Sequence, residues 1–222
     1  MVKHYTTYLF DLDGTLTDSK PGITNSILYA LSKLGIEEEN KTSLDKFIGP
    51  PLLDSFMKYY GLDESRAREA VAQYREYYGT RGIYESKLCG GISDLLAILD
   101  AKGCRLILAT SKASIYALRI LEHFSIDGYF DSVFGSNFDL TRASKTEILA
   151  DILEEISPYS KDFCLMIGDH RDDVTGAREN GIDSVAVTYG YGSEQELAEL
   201  DPTYMVHCVG ELSNLLLRST WQ

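Results

Sequence analysis

Paired cysteines, long apolar runs and basic stretches are all missing from this sequence. The four cysteines stand at 89, 104, 164 and 208, so no Cys-x-x-Cys step offers a structural zinc site or a redox pair, and buried reduced thiols are expected. Charged and turn residues interrupt the N-terminal stretch MVKHYTTYLFDLDG, which excludes a signal-peptide core, and no later run is long enough to span a bilayer. A cytoplasmic location is the expectation. Lysine and arginine number 21 against 34 acidic residues, a formal charge of −13 that repels nucleic-acid backbones and anionic membranes alike. Neither is an expected partner. The same field repels an anionic small substrate, so a phosphate site here has to bring its own cations, whether lysine, arginine or metal. Repeats and low-complexity tracts are also lacking, and nothing in the sequence specifies an oligomeric state.

What is present is the composition of an ordinary globular protein, 44% hydrophobic and 25% charged, at a length of 222 residues that suits one main domain with a smaller insertion. After residue 86, short β-rich runs alternate with amphipathic ones, the pattern of parallel strands joined by crossover helices. The fold class is therefore α/β, a parallel Rossmann-like sheet. Strands are expected at 5–10, 105–109, 130–134, 163–167, 184–187 and 204–207, with helices at 92–102, 114–123, 145–156, 173–180 and 194–199. Residues 19–85 break the rhythm with consecutive helical patterns at 22–34, 52–60 and 64–78. They read as an inserted all-helical cap, leaving 1–18 and 86–222 as the α/β core. Both connections fall at one end of the sheet, and a hinged lid is the natural inference.

Four short stretches carry chemistry. Asp11-Leu12-Asp13-Gly14-Thr15 sets two carboxylates two residues apart where a strand gives way to a glycine turn; alone, this is an ordinary acidic turn. Thr110-Ser111-Lys112 follows the second strand and offers hydroxyls and helix-start amides to a phosphate oxygen, or simply an N-cap. Lys145 opens a helix as a solvated lysine or as a phosphate counter-charge. Gly168-Asp169-His170-Arg171-Asp172-Asp173 ends another strand, and Asp172 or Asp173 could merely cap the helix that follows. In an open parallel sheet, ligands bind beyond the carboxyl ends of the strands, so Asp11, Thr110 and Asp169 can converge. Crowded carboxylates are costly without a cation, and oxygen ligands suit Mg²⁺ better than zinc.

These motifs, in this order, resemble the haloacid dehalogenase superfamily, in its phosphatase branch with a helical cap. Stretches such as Ile48-Gly49-Pro50-Pro51 and Tyr189-Gly190-Tyr191-Gly192 are similar to phosphoglycolate phosphatases, while Ile120-Leu121-Glu122-His123-Phe124 resembles bacterial proteins labelled 5′-nucleotidase. The resemblance implies an Mg²⁺-dependent phosphatase that hydrolyses a small phosphorylated metabolite through an aspartyl phosphate. The main reading is phosphoglycolate phosphatase-like, with nucleoside monophosphates as the alternative. Asp11 is then the nucleophile and Asp13 the general acid and base. Thr110, Ser111 and Lys145 hold the phosphate, and Asp11, the Asp13 carbonyl and Asp169 bind the metal. Asp173 and Thr15 lie just outside it. Two departures from the family pattern bear on backbone stiffness: Thr146 stands where many relatives have proline, and Cys89-Gly90-Gly91 replaces a common Pro-Gly step.

Other residues have bland readings first. His170 reads as an exposed histidine, Lys112 and Arg142 as surface cations that could instead bind a second anionic group, and Gly190 and Gly192 as parts of a tight loop. Tyr59, Tyr60, Tyr74, Tyr77 and Tyr78 have the spacing of helix packing, with stacking on a nucleobase as the sharper alternative. Rival functions are a phosphomutase, which shares the carboxylate pair, and a non-enzymatic receiver-like regulator, which lacks a counterpart to Asp13 and a cap.

Overall fold

The computed structural model describes residues 3–139, 141–156 and 158–220. The backbone separates into two compact units, residues 1–17 with 88–222, and residues 18–87. The chain passes between them at β2 (Thr17–Asp18) and β3 (Lys87–Leu88), which pair as a two-stranded ribbon.

The larger unit is built on a six-stranded sheet. Its strands are β1 (Thr7–Phe10), β4 (Arg105–Ala113), β5 (Ser132–Ser136), β6 (Cys164–Gly168), β7 (Asp183–Val187) and β8 (Tyr204–Val206), in the order β5-β4-β1-β6-β7-β8. All neighbours run parallel, with Phe10 beside Leu108 on one flank and Ile167 on the other. The helices are α4 (Ile92–Ala101), α5 (Ser114–His123), α6 (Lys145–Glu155), α7 (Arg171–Asn180), α8 (Glu194–Glu199) and α9 (Val209–Ser219). A central parallel strand is covered on both faces, which explains why TYLF carries no polar alternation and is wholly buried. Leu9, Ile107 and Met166 face one layer, where they pack with Ile148, Leu149 and Ile152 of α6 and Ala177 of α7. Tyr8 points the opposite way and bonds the Ser219 hydroxyl of α9 at 2.8 Å.

The smaller unit contains α1 (Lys20–Lys33), α2 (Leu52–Tyr60) and α3 (Glu64–Tyr78). Asp63 caps α3 by accepting from Arg66 N, and Gly61 ends α2 in the left-handed conformation, so its helix boundaries follow local chemistry. Tyr74 and Tyr78 are buried and stacked, with centroids 5.2 Å apart, the packing role their spacing implies.

Two expectations need correction, and two elements join those expected. Helix α9 and the short ribbon are not legible in the sequence pattern. No disulfide joins the four cysteines, but only Cys164 is buried and Cys208 is exposed. The second strand does not stop at Ala109: it continues to Ala113 through a register break, and α5 starts only at Ser114. Thr110 and Ser111 therefore belong to a strand, and offer no helix-start amides.

Candidate active site

The site lies beyond the carboxyl ends of β1, β4 and β6, where the strand order turns about β1. Asp11 N still donates to Ile167 O at 2.9 Å, so the nucleophile candidate is held by the sheet ladder. The chain then closes a turn, with Leu16 N and Thr17 N both donating to Leu12 O at 2.9 and 3.0 Å. Gly14 makes this turn possible twice over. Its φ is +89°, and a Cβ there would collide with the Asp169 carboxylate.

Asp11, Asp169 and Asp173 are all buried and offer oxygens within 4.8 Å of one another. Lys145 is 4% exposed and lies between two of them, Nζ being 2.7 Å from Asp11 Oδ1 and 2.8 Å from Asp173 Oδ1. It also donates to Ala109 O, at 2.6 Å, which ties the ends of β1 and β4 together. Burial disfavours its charge, but Asp11 and Asp173 outweigh that and hold the ammonium protonated. One ammonium against three carboxylates leaves two negative charges uncompensated. At an effective dielectric of about 20, each carboxylate pair at such a separation repels by roughly 3 kcal/mol. The strain is visible in Asp169, whose burial, followed by repulsion from Asp11 and Asp173, pushes it up to about 7. Burial likewise raises Asp11, despite Lys145 beside it. A divalent cation with a preference for oxygen ligands fits this set, because it removes the charge excess without protonating the groups.

Asp169 is held on both oxygens: Thr15 Oγ1 donates to Oδ1 at 3.1 Å, and Tyr191 N donates to Oδ2 at 2.7 Å. The loop after β7 can come this close because Gly190 and Gly192 have no Cβ; one at either position would strike Asp169. Tyr189 donates to Thr15 O at 3.0 Å, completing a brace on the residue that holds Asp169.

The second carboxylate of the turn has a different partner. Asp13 Oδ2 lies 2.9 Å from Lys112 Nζ, with the two side chains only 13% and 7% exposed. Asp13 Oδ1 is buried and has no hydrogen-bond partner.

Residues 8–187 match the family described as haloacid dehalogenase-like hydrolase. This chain belongs to that family. It is 44% identical to a 5′-nucleotidase of Pseudomonas aeruginosa over 96% of both chains. It is 40% identical to the tyrosine-protein kinase PtkA of Mycobacterium tuberculosis over 90% of this chain and 67% of that one, and 27% identical to a phosphoglycolate phosphatase of Colwellia psychrerythraea over 92% and 93%. Among solved structures, a predicted phosphatase from Clostridium acetobutylicum aligns with a TM-score of 0.93 and 43% identity, covering 97% of this chain and all of that one.

The hydrolase thus gathers Asp11, Lys145, Asp169 and Thr15 as the motifs suggest, and brings Thr110 to the adjacent strand end, directly after the carbonyl that Lys145 grips. Ser111 and Lys112 fall in the register break of β4. Asp173, expected just outside the metal, lies with its carboxylate within 4.8 Å of those of Asp11 and Asp169. It also accepts from His170 N at 3.0 Å, so the capping role and the charged role coexist. His170 is no exposed histidine; it is the N-cap of α7, half-buried. Lys112 is no surface cation, whereas Arg142 is one, 61% exposed and paired with Asp151. In place of a proline, Thr146 is fastened sideways: its hydroxyl donates to Glu179, and Asn180 donates to its carbonyl, both on α7. The Tyr189 and Tyr191 contacts escape sequence reasoning because one acts through its backbone and the other on a backbone oxygen. The glycines between and after them are the only local signal.

Proposed function

We propose that this hydrolase is a phosphatase that cleaves nucleoside 5′-monophosphates through an aspartyl phosphate on Asp11, with Mg²⁺ as its metal. The observation that carries the chemistry is the placement of Asp11, buried in a carboxylate group with one oxygen on Lys145. Asp11, Asp169 and Asp173 would hold the cation, whose bound charge would offset the carboxylates and draw electron density from the phosphoryl group.

Asp11 attacks phosphorus with a carboxylate oxygen as the ester P–O bond breaks, and Asp13 gives its proton to the departing alkoxide. Thr110 and Ser111 at the end of β4 bind phosphoryl oxygens, with Lys145 neutralising charge beside them. In the second step Asp13 takes a proton from water, which attacks phosphorus. The P–O bond to Asp11 then breaks, restoring its carboxylate and releasing inorganic phosphate. Residues 18–87 act as the cap and select the substrate, since every residue assigned a chemical step lies in the other unit.

Two observations favour a nucleotide over phosphoglycolate. The relative named 5′-nucleotidase shares far more sequence than the one named phosphoglycolate phosphatase. The two cations considered for a second anionic group are also engaged, Lys112 by Asp13 and Arg142 by Asp151. Phosphate release from purified protein with Mg²⁺ tests the reading. We expect kcat/KM for a nucleoside 5′-monophosphate to exceed that for phosphoglycolate by at least about tenfold, a difference worth roughly 1.4 kcal/mol. The reverse preference would return the assignment to phosphoglycolate, and substrate isomerisation without phosphate release would make the enzyme a mutase.

A further inference from the structure

We infer that Lys112 is a positioning residue for the proton-transferring carboxylate: it holds Asp13 by Oδ2 and leaves Oδ1 as the oxygen that exchanges the proton. The inference rests on the proposed acid–base role of Asp13 and on three features of the fold.

The first is the ion pair itself. A lysine with a long flexible stem costs side-chain entropy to immobilise, and its charge costs desolvation to bury, so a Lys112 side chain only 7% exposed is held there by its partner. The second is the backbone that delivers it. Pairing of β4 with β5 runs Thr110 beside Gly135 and then jumps to Ala113 beside Ser136, so Ser111 and Lys112 form a bulge. Such a bulge re-aims a side chain that a regular strand would point elsewhere. Lys112 N is tied back to Thr110 Oγ1 at 3.2 Å, which couples the bulge to the phosphate-binding residue. Gly135 is the opposing residue. A Cβ on it would collide with Lys112 O and come within 2.9 Å of Ser114 N, so the bulge needs glycine on the neighbouring strand.

The third feature is the asymmetry of Asp13. One oxygen is engaged, while the other is buried without a partner. A buried unpaired carboxylate oxygen is unfavourable unless something arrives to bond it. The leaving-group oxygen in the first step and the attacking water in the second are the groups that the mechanism brings. Fixing Oδ2 removes a degree of freedom from the carboxylate and presents Oδ1 to both.

Lys112 thereby acts on turnover rather than on substrate affinity. Rapid-mixing and steady-state assays with p-nitrophenyl phosphate and Mg²⁺ read the two steps separately. For Lys112→Met we expect kcat to fall roughly 10- to 100-fold, a part of the 10²–10⁴-fold that acid–base assistance supplies, with KM falling alongside it because hydrolysis of the intermediate becomes limiting. Nitrophenolate should appear in a burst approaching one equivalent, because this leaving group needs little protonation and the hydrolytic step suffers more. Lys112→Arg should recover most of kcat, and Gly135→Ala should lose it in the same pattern. A raised KM at unchanged kcat would make Lys112 a substrate ligand, and unchanged kinetics would make the pair structural; either overturns the inference.

The double variant Asp13→Asn/Lys112→Met removes both charges, so it also serves should Lys112→Met alone not fold. If Lys112 works through Asp13, the double variant is within about twofold of Asp13→Asn, and a further large loss refutes the positioning role. Should Asp13→Asn alone turn over at the wild-type rate, the acid–base reading itself fails, a result distinct from failure of Lys112→Met.

Discussion

The two units of this protein treat charge in opposite ways. The α/β unit buries Asp11, Lys145, Asp169 and Asp173, and nearly buries Lys112 and Asp13. Among the described residues of 18–87, no charged side chain is buried. Its ion pairs sit in solvent, as in Glu64–Arg68 along α3 and Lys20–Asp45. Its interior is aromatic instead, with Phe47 meeting Phe56, Tyr59 and Tyr60 at centroid distances of 5.1 to 5.9 Å. Buried charge is costly and is retained where it is used, whereas aromatic burial stabilises without chemistry. The difference is what the proposed division of labour, chemistry in one unit and recognition in the other, requires.

The comparison is tested most severely at Asp11. Asp11→Asn should lower turnover by at least about 10⁴-fold and form no phosphoenzyme with any ester, as rapid mixing with p-nitrophenyl phosphate would reveal. A burst from that variant would remove the nucleophile. Asp13→Asn should cost about 10²–10⁴-fold in steady turnover while still giving a burst near one equivalent. Unimpaired turnover would leave the second step without a base.

Asp169→Asn sharpens the contrast through stability. Relieving carboxylate repulsion should raise the melting midpoint of chelated protein by a few degrees, at roughly 2–4 °C per kcal/mol for a chain of this size. The stabilisation by added Mg²⁺ should vanish in the same variant. A lower midpoint in chelator would show that the cluster is not strained. In the helical unit, Tyr59 carries the Lys46 ammonium 4.4 Å and the Lys58 ammonium 5.3 Å from its ring centre. Tyr59→Ala should change kcat/KM for a nucleoside monophosphate by roughly three- to tenfold, in line with aromatic stacking, and leave p-nitrophenyl phosphate nearly unaffected. Equal loss on both substrates by a folded variant would break the division of labour.

The smallest effect is expected at the far end of the sheet. Burial opposes the charge on Asp183, but hydrogen bonds from Lys3 at 2.7 Å and Tyr5 at 2.9 Å outweigh it and hold the carboxyl below its usual range. A depressed value means that the stabilisation is present above the ordinary carboxylate range and is lost as pH falls through the depressed one. With Lys3 half exposed, it amounts to less than about 1 kcal/mol. The melting midpoints of wild type and Asp183→Asn should therefore differ slightly at neutral pH and converge in acid.

Much of this was readable before any coordinates. Alternation of β-rich and amphipathic runs reveals the parallel sheet because the side-chain period of each element is local. The caps of α3 and α6 are likewise local, Asp63 and Ser144 each accepting from an amide three residues on. Helix α9 is harder to read because its apolar stripe is justified only by the sheet face it covers. The bulge in β4 is hidden for a related reason: its determinant, Gly135, lies on another strand.

By itself the sequence determined which chemical groups exist and that they fall at strand ends: Asp11 and Asp13 after β1, Thr110 on β4, Asp169 after β6. Only the tertiary structure decided who meets whom. Lys145 reaches Asp11 across 134 residues, and Lys112, not Lys145, takes Asp13. Asp173 comes within 4.8 Å of Asp11 and Asp169. Each pairing depends on parallel register, which sets Phe10 beside both Leu108 and Ile167, and on one bulge that turns a single lysine. Electrostatic partnership falls off over a few ångströms, while the chain separates these groups by a hundred residues, so distance in space decides it and order along the chain does not.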